Sequence, residues 1–428
     1  MDESLALQMR EEWNARARED AKYFVAFGRW NQDEDEFFAS GGDVVRELAG
    51  QFLRLPGRRC RRALEIGCGL GRLMRPMAGL VGEIHGVDVS DEMIRGARER
   101  LRGIANAHVH VGGGADLAGF DDGAFDLVYS YAVFQHIPSR EAIFGYLAEA
   151  GRVLAPGGVL WFQANGAAGG GDVADTWHGA RLAAGEAAAF AREAGLRLMA
   201  VEGPDTPYMA VTIQKPARGG ARAAGPARIV RVAGGHHPGL AAPARGRRAF
   251  ASLWIEGLPE GSDLNTLEAT VQGARATGEW LGPFLGPPET DGIWQFRVRL
   301  PELEAGLDTV ELLYRGARIA PAALLRTIPA GPAVPRLVAL SDAAELLSTQ
   351  RIASGAVRAS FEEAPDAAGF RAQVDGRAIT DCEARCVDPV APRIEVTFRL
   401  PEGTGPGPHR LEMALGGRRF AALTIEVV

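Results

Sequence analysis

The chain has 428 residues, 46% of them hydrophobic and 24% charged, with a formal net charge of −7. That balance is ordinary for a globular protein and argues against a dedicated nucleic-acid binder, which carries a basic face. No window approaches the ~18 apolar residues of a membrane span, and the acidic start Met1-Asp2-Glu3-Ser4 lacks the basic-then-apolar order of a secretory signal. Four cysteines are too few for a disulfide framework. Cys60 and Cys68 read as incidental small residues of a reducing compartment, and Cys382 with Cys386 cannot alone close a tetrahedral metal site. The expected location is cytoplasmic.

Residues 1–62 read as a helical preface, or lid. Leu5, Met9, Trp13 and Ala17 recur at near-helical spacing, followed by Tyr23, Phe24, Phe27 and Trp30, rings that either pack the preface onto the core or line a substrate pocket. After an acidic break over 31–36, Phe37-Phe38 and residues 44–55 resume the pattern up to Pro56-Gly57. The basic run Arg58-Arg59-Cys60-Arg61-Arg62 then falls at a helix C-terminus, where cations are favoured.

From residue 63 strands and helices alternate, the pattern of a doubly wound, mostly parallel sheet. The expected strands are 63–66, 84–87, 108–111, 125–130 and 159–163. The expected helices are 72–80, one capped by Ser90 with Asp91 and Glu92 in its first turn, and 141–154, stopped by Ala155-Pro156-Gly157-Gly158. A glycine-rich loop over 165–172 and a helix over 186–194 follow. Residues 196–202 and 209–214 read as an antiparallel hairpin on the sheet's edge, ending this α/β domain (63–216) near Lys215-Pro216.

Residues 217–227, rich in Ala, Gly and Arg, read as a linker. Beyond it come short alternating runs with many prolines and glycines. Strands are expected at 250–255, 267–271, 294–300 and 310–314, with a second linker over 329–335. The tail is internally repeated: Phe296-Arg297-Val298-Arg299-Leu300-Pro301-Glu302 recurs as Val396-Thr397-Phe398-Arg399-Leu400-Pro401-Glu402, and Val310-Glu311-Leu312 with Arg315-Gly316 recurs as Leu411-Glu412-Met413 with Gly416-Gly417. Two all-β units, 228–329 and 330–428, each have the size of an immunoglobulin-like β-sandwich.

The stretch Leu64-Glu65-Ile66-Gly67-Cys68-Gly69-Leu70-Gly71-Arg72 is an apolar run ending in an acid and three alternating glycines, the form of a strand that turns tightly where a ligand meets the backbone. Ile84-His85-Gly86-Val87-Asp88 supplies a second carboxylate at a strand tip, suited to ribose hydroxyls. The dinucleotide spacing Gly-x-Gly-x-x-Gly fails from both Gly67 and Gly69, and no Gly-Lys-Ser/Thr follows for a phosphate loop. An acid before the loop repels a pyrophosphate and attracts a cationic amino-acid group.

Residues 40–216 therefore resemble the class I S-adenosylmethionine-dependent methyltransferases. Glu65 to Gly71 is similar to that family's first motif, Asp88 to its ribose-binding acid, Phe125-Asp126-Leu127-Val128-Tyr129-Ser130 to its fourth strand, and Arg152-Val153-Leu154-Ala155-Pro156-Gly157-Gly158 to the run into its fifth. The resemblance implies S-adenosyl-L-methionine as cofactor, with Glu65, Gly67, Cys68, Gly69 and Gly71 at its methionine end and Asp88 and Val89 at its ribose. Ala115, Asp116 and Leu117 are then at its adenine. Where the family often has Gly-Asp before the adenine loop, this chain has Gly112-Gly113, and Asp116 either takes over that contact or is a solvated loop acid.

Methyl transfer to a hydroxyl needs a base, and His136 in Tyr131-Ala132-Val133-Phe134-Gln135-His136-Ile137-Pro138 follows strand four at the ligand end of the sheet. It is a candidate catalytic residue or a histidine bonded to backbone that shapes the pocket; Tyr131 and Gln135 are candidate pocket residues. His108, His110, His236 and His237 lack companions at metal-ligand spacing, and no metal is expected. The acceptor is expected to be a small metabolite, glycan or lipid-linked intermediate methylated on oxygen or nitrogen. The tail serves for glycan or protein binding, dimerisation or spacing. A non-catalytic cofactor-binding scaffold or sensor is the competing expectation, and a dehydrogenase the third.

Overall fold

The computed structural model describes the chain except residues 1–2, 27–29, 53–59, 168–175, 178, 218–225, 235–240, 247, 285, 287–289, 330–334, 345–349, 363, 365–366, 368 and 389–392. Pro56-Gly57, the triple glycine of the 165–172 loop, most of both linkers and His236-His237 lie outside the described residues, as does the Cys386 side chain. Two compact units result: Met1–Ala15 with Phe38–Ala330, and Arg16–Phe37 with Gly331–Val428.

In the first unit, β1 (Arg62–Ile66), β2 (Glu83–Asp88), β3 (Ala107–Val111), β4 (Phe125–Ser130), β5 (Leu154–Ala164), β6 (Arg197–Glu202) and β7 (Met209–Gln214) align in the order β3-β2-β1-β4-β5-β7-β6. β3, β2, β1, β4 and β5 are parallel neighbours, and β7 runs antiparallel to both β5 and β6. The helices are α1 (Glu3–Ala26) and α2 (Glu34–Phe52), of which residues 16–26 and 34–37 belong to the second unit, then α3 (Met74–Met77), α4 (Asp91–Arg100), α5 (Arg140–Val153) and α6 (Ala184–Glu193). Both sheet faces are covered, which is why the strands read as continuous apolar runs. Leu64, Ile66, Val128 and Phe162 pack with Ile143, Leu147 and Ala187 on one face. Leu127, Tyr129 and Trp161 pack with Met74, Ile94, Val45 and Leu48 on the other.

Local chemistry sets the helix ends. The Ser90 hydroxyl accepts from the Met93 amide at 3.1 Å, with Asp91 and Glu92 in the first turn and Arg98 and Arg100 in the last turn of α4. The helix expected over 72–80 starts only at Met74, because Pro76 has no N–H for the Arg72 carbonyl, and it ends after a single turn, α3, at Met77. The expected breaker Ala155–Gly158 instead lies inside β5: Leu154 pairs with Phe125, Gly157 takes φ +82°, and the register shifts before Val159 meets Leu127.

The edge hairpin also needs correction. β6 and β7 do form an antiparallel hairpin, but β7 is internal and β6 passes the sheet on to the tail through Ala200↔Trp280. The physical reason is burial: Met199 of β6 is 5% exposed and belongs to the tail's core. At this joint the Leu198 amide donates to Asp263 at 3.1 Å, the Leu264 amide donates to the Leu198 carbonyl at 2.8 Å, and Arg297 pairs with Glu202 at 2.7 Å.

The tail strands of the first unit are β8 (Arg228–Gly234), β9 (Ala241–Pro243), β10 (Phe250–Glu256), β11 (Leu267–Val271), β12 (Ala274–Pro283), β13 (Ile293–Arg299), β14 (Leu307–Tyr314), β15 (Ala317–Arg318) and β16 (Ala323–Ile328). They pair as β8-β10-β13-β12 and β9-β16-β14-β11, with β12 shared by both ladders. The second unit repeats this with β17 (Arg336–Asp342), β18 (Arg351–Ile352), β19 (Ala356–Glu362), β20 (Arg371–Val374), β21 (Arg377–Ala378), β22 (Cys382–Asp388), β23 (Arg393–Arg399), β24 (Gly407–Leu415), β25 (Arg418–Arg419) and β26 (Leu423–Val427). Here the ladders are β17-β19-β23-β22 and β18-β26-β24-β20. The hairpin turns correspond as well: Gln272-Gly273 at φ +52° and +79° matches Asp375-Gly376 at +49° and +79°, the two-residue turn that suits twisted strands. In the second unit Tyr23 stacks on Trp30 at 4.1 Å, and Asp20 breaks α1 by accepting from the Lys22 and Tyr23 amides.

His108 and His110 of β3 gather around His85 of β2, and among the described residues no His, Cys, Asp and Glu group could hold a metal. His85 Nδ1 lies 3.1 Å from His110 Nε2, and its own Nε2 lies 3.3 Å from the Arg62 guanidinium. Burial, then Arg62 and the other two imidazoles, push the His85 pKa down to about 4 against the pull of Glu83. The fold thus holds His85 neutral while the unfolded chain protonates it near pH 6.5. Stability is full above that value and falls as pH drops toward 4, on the order of 1 kcal/mol lost by pH 5.5. Melting curves from pH 7.5 to 5 should show this slope flattened in His85→Gln; an unchanged slope would discard the assignment.

Candidate functional site

Strand order reverses between β1 and β4, so the loops leaving their carboxyl ends border a crevice. The β1 loop is pinned at once: the Gly67 and Cys68 amides both donate to the Val87 carbonyl, at 2.7 and 3.1 Å. Gly67, Gly69 and Gly71 all have positive φ, at +75°, +51° and +79°. A Cβ on Gly67 would stand 2.4 Å from Val133 Cγ2, so glycine at 67 is a steric requirement.

The loop and the tip of β2 meet through Asp88, whose carboxylate accepts from the Gly69 amide and the Ser90 amide, each at 2.9 Å. Burial pushes its pKa up, and the Ser90, Gly69 and Val89 amides pull it down. Glu65 is 3% exposed and accepts the Tyr129 hydroxyl proton at 2.8 Å. Burial raises its pKa to about 8, while Tyr129 and then Arg72 oppose the shift and Asp88 adds to it. A cationic group placed beside this buried carboxyl would pull its pKa back down and favour the charged form. Cys68, 2% exposed, contributes backbone, and burial raises its thiol pKa well above the ordinary value.

Val89 and Ala115 are buried, at 8% and 9% exposure, in the core cluster that Leu117 shares. Asp116 is exposed, its carboxylate turned to the Ala118 amide at 3.2 Å. Leu117, expected at the adenine, donates its amide to Glu149 at 3.1 Å, and its carbonyl accepts from Arg152 at 3.0 Å. These bonds fasten the loop to α5.

After β4, Ala132 stands at φ +57°, a strained conformation for alanine that no sequence signal announced. Tyr131 stacks on Trp161 with centroids 6.3 Å apart. Gln135 Oε1 is buried with no hydrogen-bond partner. His136 is 6% exposed; its Nδ1 sits 2.9 Å from the Trp177 carbonyl, which assigns the ring proton to Nδ1 and the lone pair to Nε2. Trp13 and Trp177 flank this ring at 5.6 and 5.5 Å.

The sequence reading missed the role of α1's first turns. Asn14 accepts from the Ser90 hydroxyl at 2.6 Å, Arg10 donates to the Val89 and Gly112 carbonyls at 3.3 Å, and Thr176 donates to Glu12 at 2.5 Å. α1 thus spans the ends of β2 and β3 and meets the segment after β5. It also missed Arg72 and Tyr129, whose partners are distant in sequence.

The described residues of this domain have a Rossmann-like fold with a mostly parallel sheet. Residues 64–162 match the family model described as a methyltransferase domain. A ubiquinone biosynthesis O-methyltransferase of Thiobacillus denitrificans is 27% identical over 155 residues, covering 35% of this chain and 63% of that one. The enzyme of the same name from Xanthomonas oryzae pv. oryzae is 33% identical over 103 residues, covering 24% and 42%. The chain thus spans about half the length of the curated relatives it matches. Among solved structures, a methyltransferase from Methanosarcina mazei aligns with 38% of this chain and 95% of its own at 19% identity and a TM-score of 0.33.

Proposed function

We propose that the chain transfers a methyl group from S-adenosylmethionine to an oxygen of a small molecule, with nitrogen acceptors as the second choice. The bond from the Gly69 amide to Asp88 carries this reading, since it brings glycine loop and ribose acid to one point at the ends of β1 and β2. The bound cofactor supplies a methyl carbon already activated by its sulfonium, so the protein's task is positioning and exclusion of water.

In this reading Glu65 takes the ammonium of the cofactor's amino-acid end, against the backbone of Gly67, Cys68, Gly69 and Gly71. Asp88 and Val89 hold the ribose, and Ala115 with Asp116 and Leu117 walls the adenine through side chains and the amides not spent on Glu149. His136 Nε2 removes the proton of a hydroxyl acceptor, and Tyr131 and Gln135 line its pocket. The relatives' name favours oxygen. The tail is read as two immunoglobulin-like sandwiches that bring the domain to a glycan or protein, or to a second copy. Among the described residues no helix is long and apolar enough to cross a membrane, and the proposed setting is cytoplasmic.

Calorimetric titration with S-adenosylmethionine, then labelled-methyl transfer to phenols, catechols and amines, tests the whole. Asp88→Asn should weaken binding roughly tenfold or more, the scale of a lost charge-assisted bond. His136→Gln should lower kcat by about 10²–10⁴ on a phenol with binding retained. A chain that binds the cofactor and methylates none of the acceptors would end the transferase reading.

A further inference from the structure

We propose that Arg72 grips the carboxylate of the cofactor's amino-acid end, facing Glu65 across it, and that Ser40 of α2 holds the guanidinium ready. The inference deepens the reading above and rests on it. Arg72 follows the glycine loop directly and is 7% exposed, yet among the described residues it forms no ion pair. Its Nη1 donates to the Ser40 hydroxyl at 3.2 Å, its guanidinium lies 5.8 Å from the Tyr131 ring centroid, and its Nε has no acceptor.

A buried guanidinium in this state is costly unless a carboxylate completes it. Arginine offers five donors in a planar fork that fits a carboxylate two bonds at a time, and here the buried Nε has no acceptor among the described residues while Nη1 reaches only the Ser40 hydroxyl. Glu65 acts on Arg72 through its charge, and Arg72 on Glu65, but the two form no ion pair. A buried acid and a buried cation held apart at the same loop match the ammonium and carboxylate of one amino acid.

The preparation comes from α2. A Cβ on Gly41 would stand 2.3 Å from the Arg72 carbonyl oxygen, so the helix presses on the Arg72 backbone while the adjacent Ser40 holds its side chain. Arg75 lies 4.5 Å over the Phe38 ring and fixes the same helix one turn further on.

The test compares three ligands on the full-length chain and on Arg72→Gln, Arg72→Lys and Ser40→Ala. S-adenosylmethionine carries both charges of the amino-acid end, decarboxylated S-adenosylmethionine only the ammonium, and 5′-methylthioadenosine neither. Arg72→Gln should weaken S-adenosylmethionine roughly tenfold or more while the other two stay within about threefold. Arg72→Lys should fall between, because an ammonium cannot make the paired bonds. Ser40→Ala should give a smaller loss confined to S-adenosylmethionine, and it carries the test if Arg72→Gln does not fold. Equal losses on all three ligands, or none on S-adenosylmethionine, would overturn the assignment. A wild-type chain that binds none of the three would instead overturn the methyltransferase reading itself.

Discussion

Gly67→Ala should abolish measurable cofactor binding and lower stability by about 2–5 kcal/mol. Two costs add. A side chain at φ +75° pays about 1–2 kcal/mol for the left-handed conformation, and forcing a methyl against Val133 adds about 1–3 kcal/mol of overpacking. The loop cannot relax cheaply, since the Gly67 amide is bound at 2.7 Å to the Val87 carbonyl. Adding Val133→Ala should recover only the overpacking part. Urea unfolding of both single variants and the double variant separates the two terms. A Gly67→Ala protein that melts like wild type and binds S-adenosylmethionine would show that the loop is not held as described.

A chain cut after Pro216 should lose about 10 °C or more of melting temperature, or aggregate. The cut strips β6 of β12, takes Asp263 from the Leu198 amide and Leu264 from its carbonyl, and breaks Arg297–Glu202. It also uncovers Met199, whose burial is worth about 1.5–3 kcal/mol. Together these reach roughly 3–5 kcal/mol, a large share of an ordinary domain's stability, and each kcal/mol shifts the melting point by about 2–4 °C at this size. A chain cut after Pro329 keeps β8 to β16 and serves as the comparison. Equal melting temperatures for the two would mean that the joint contributes nothing.

The parts of the site legible in the chain are those written into neighbouring residues. Alternating glycines after an apolar run, an acid ending the next strand and Ser90 ahead of two acids are local statements, and the loop, Asp88 and α4 follow them. The tandem repeat was legible for the same reason, because alternation and the Gly-containing turns recur in register.

What stayed hidden depends on partners far apart along the chain. Tyr129 reaches Glu65 across 64 residues, Arg72 reaches Ser40 across 32, and Asn14 reaches Ser90 across 76. No spacing rule connects such pairs, and each becomes a neighbour only when parallel strands and the preface helices stack. The hairpin misplacement has the same origin. Residues 196–202 and 209–214 alternate as any half-buried ribbon does, and only the packing of Met199 into the tail's core makes β6 an interior strand. Local order in the residues determined the fold class and the glycine loop. Tertiary packing decided which buried charges face that loop, since burial and charge pairing are properties of neighbours in space.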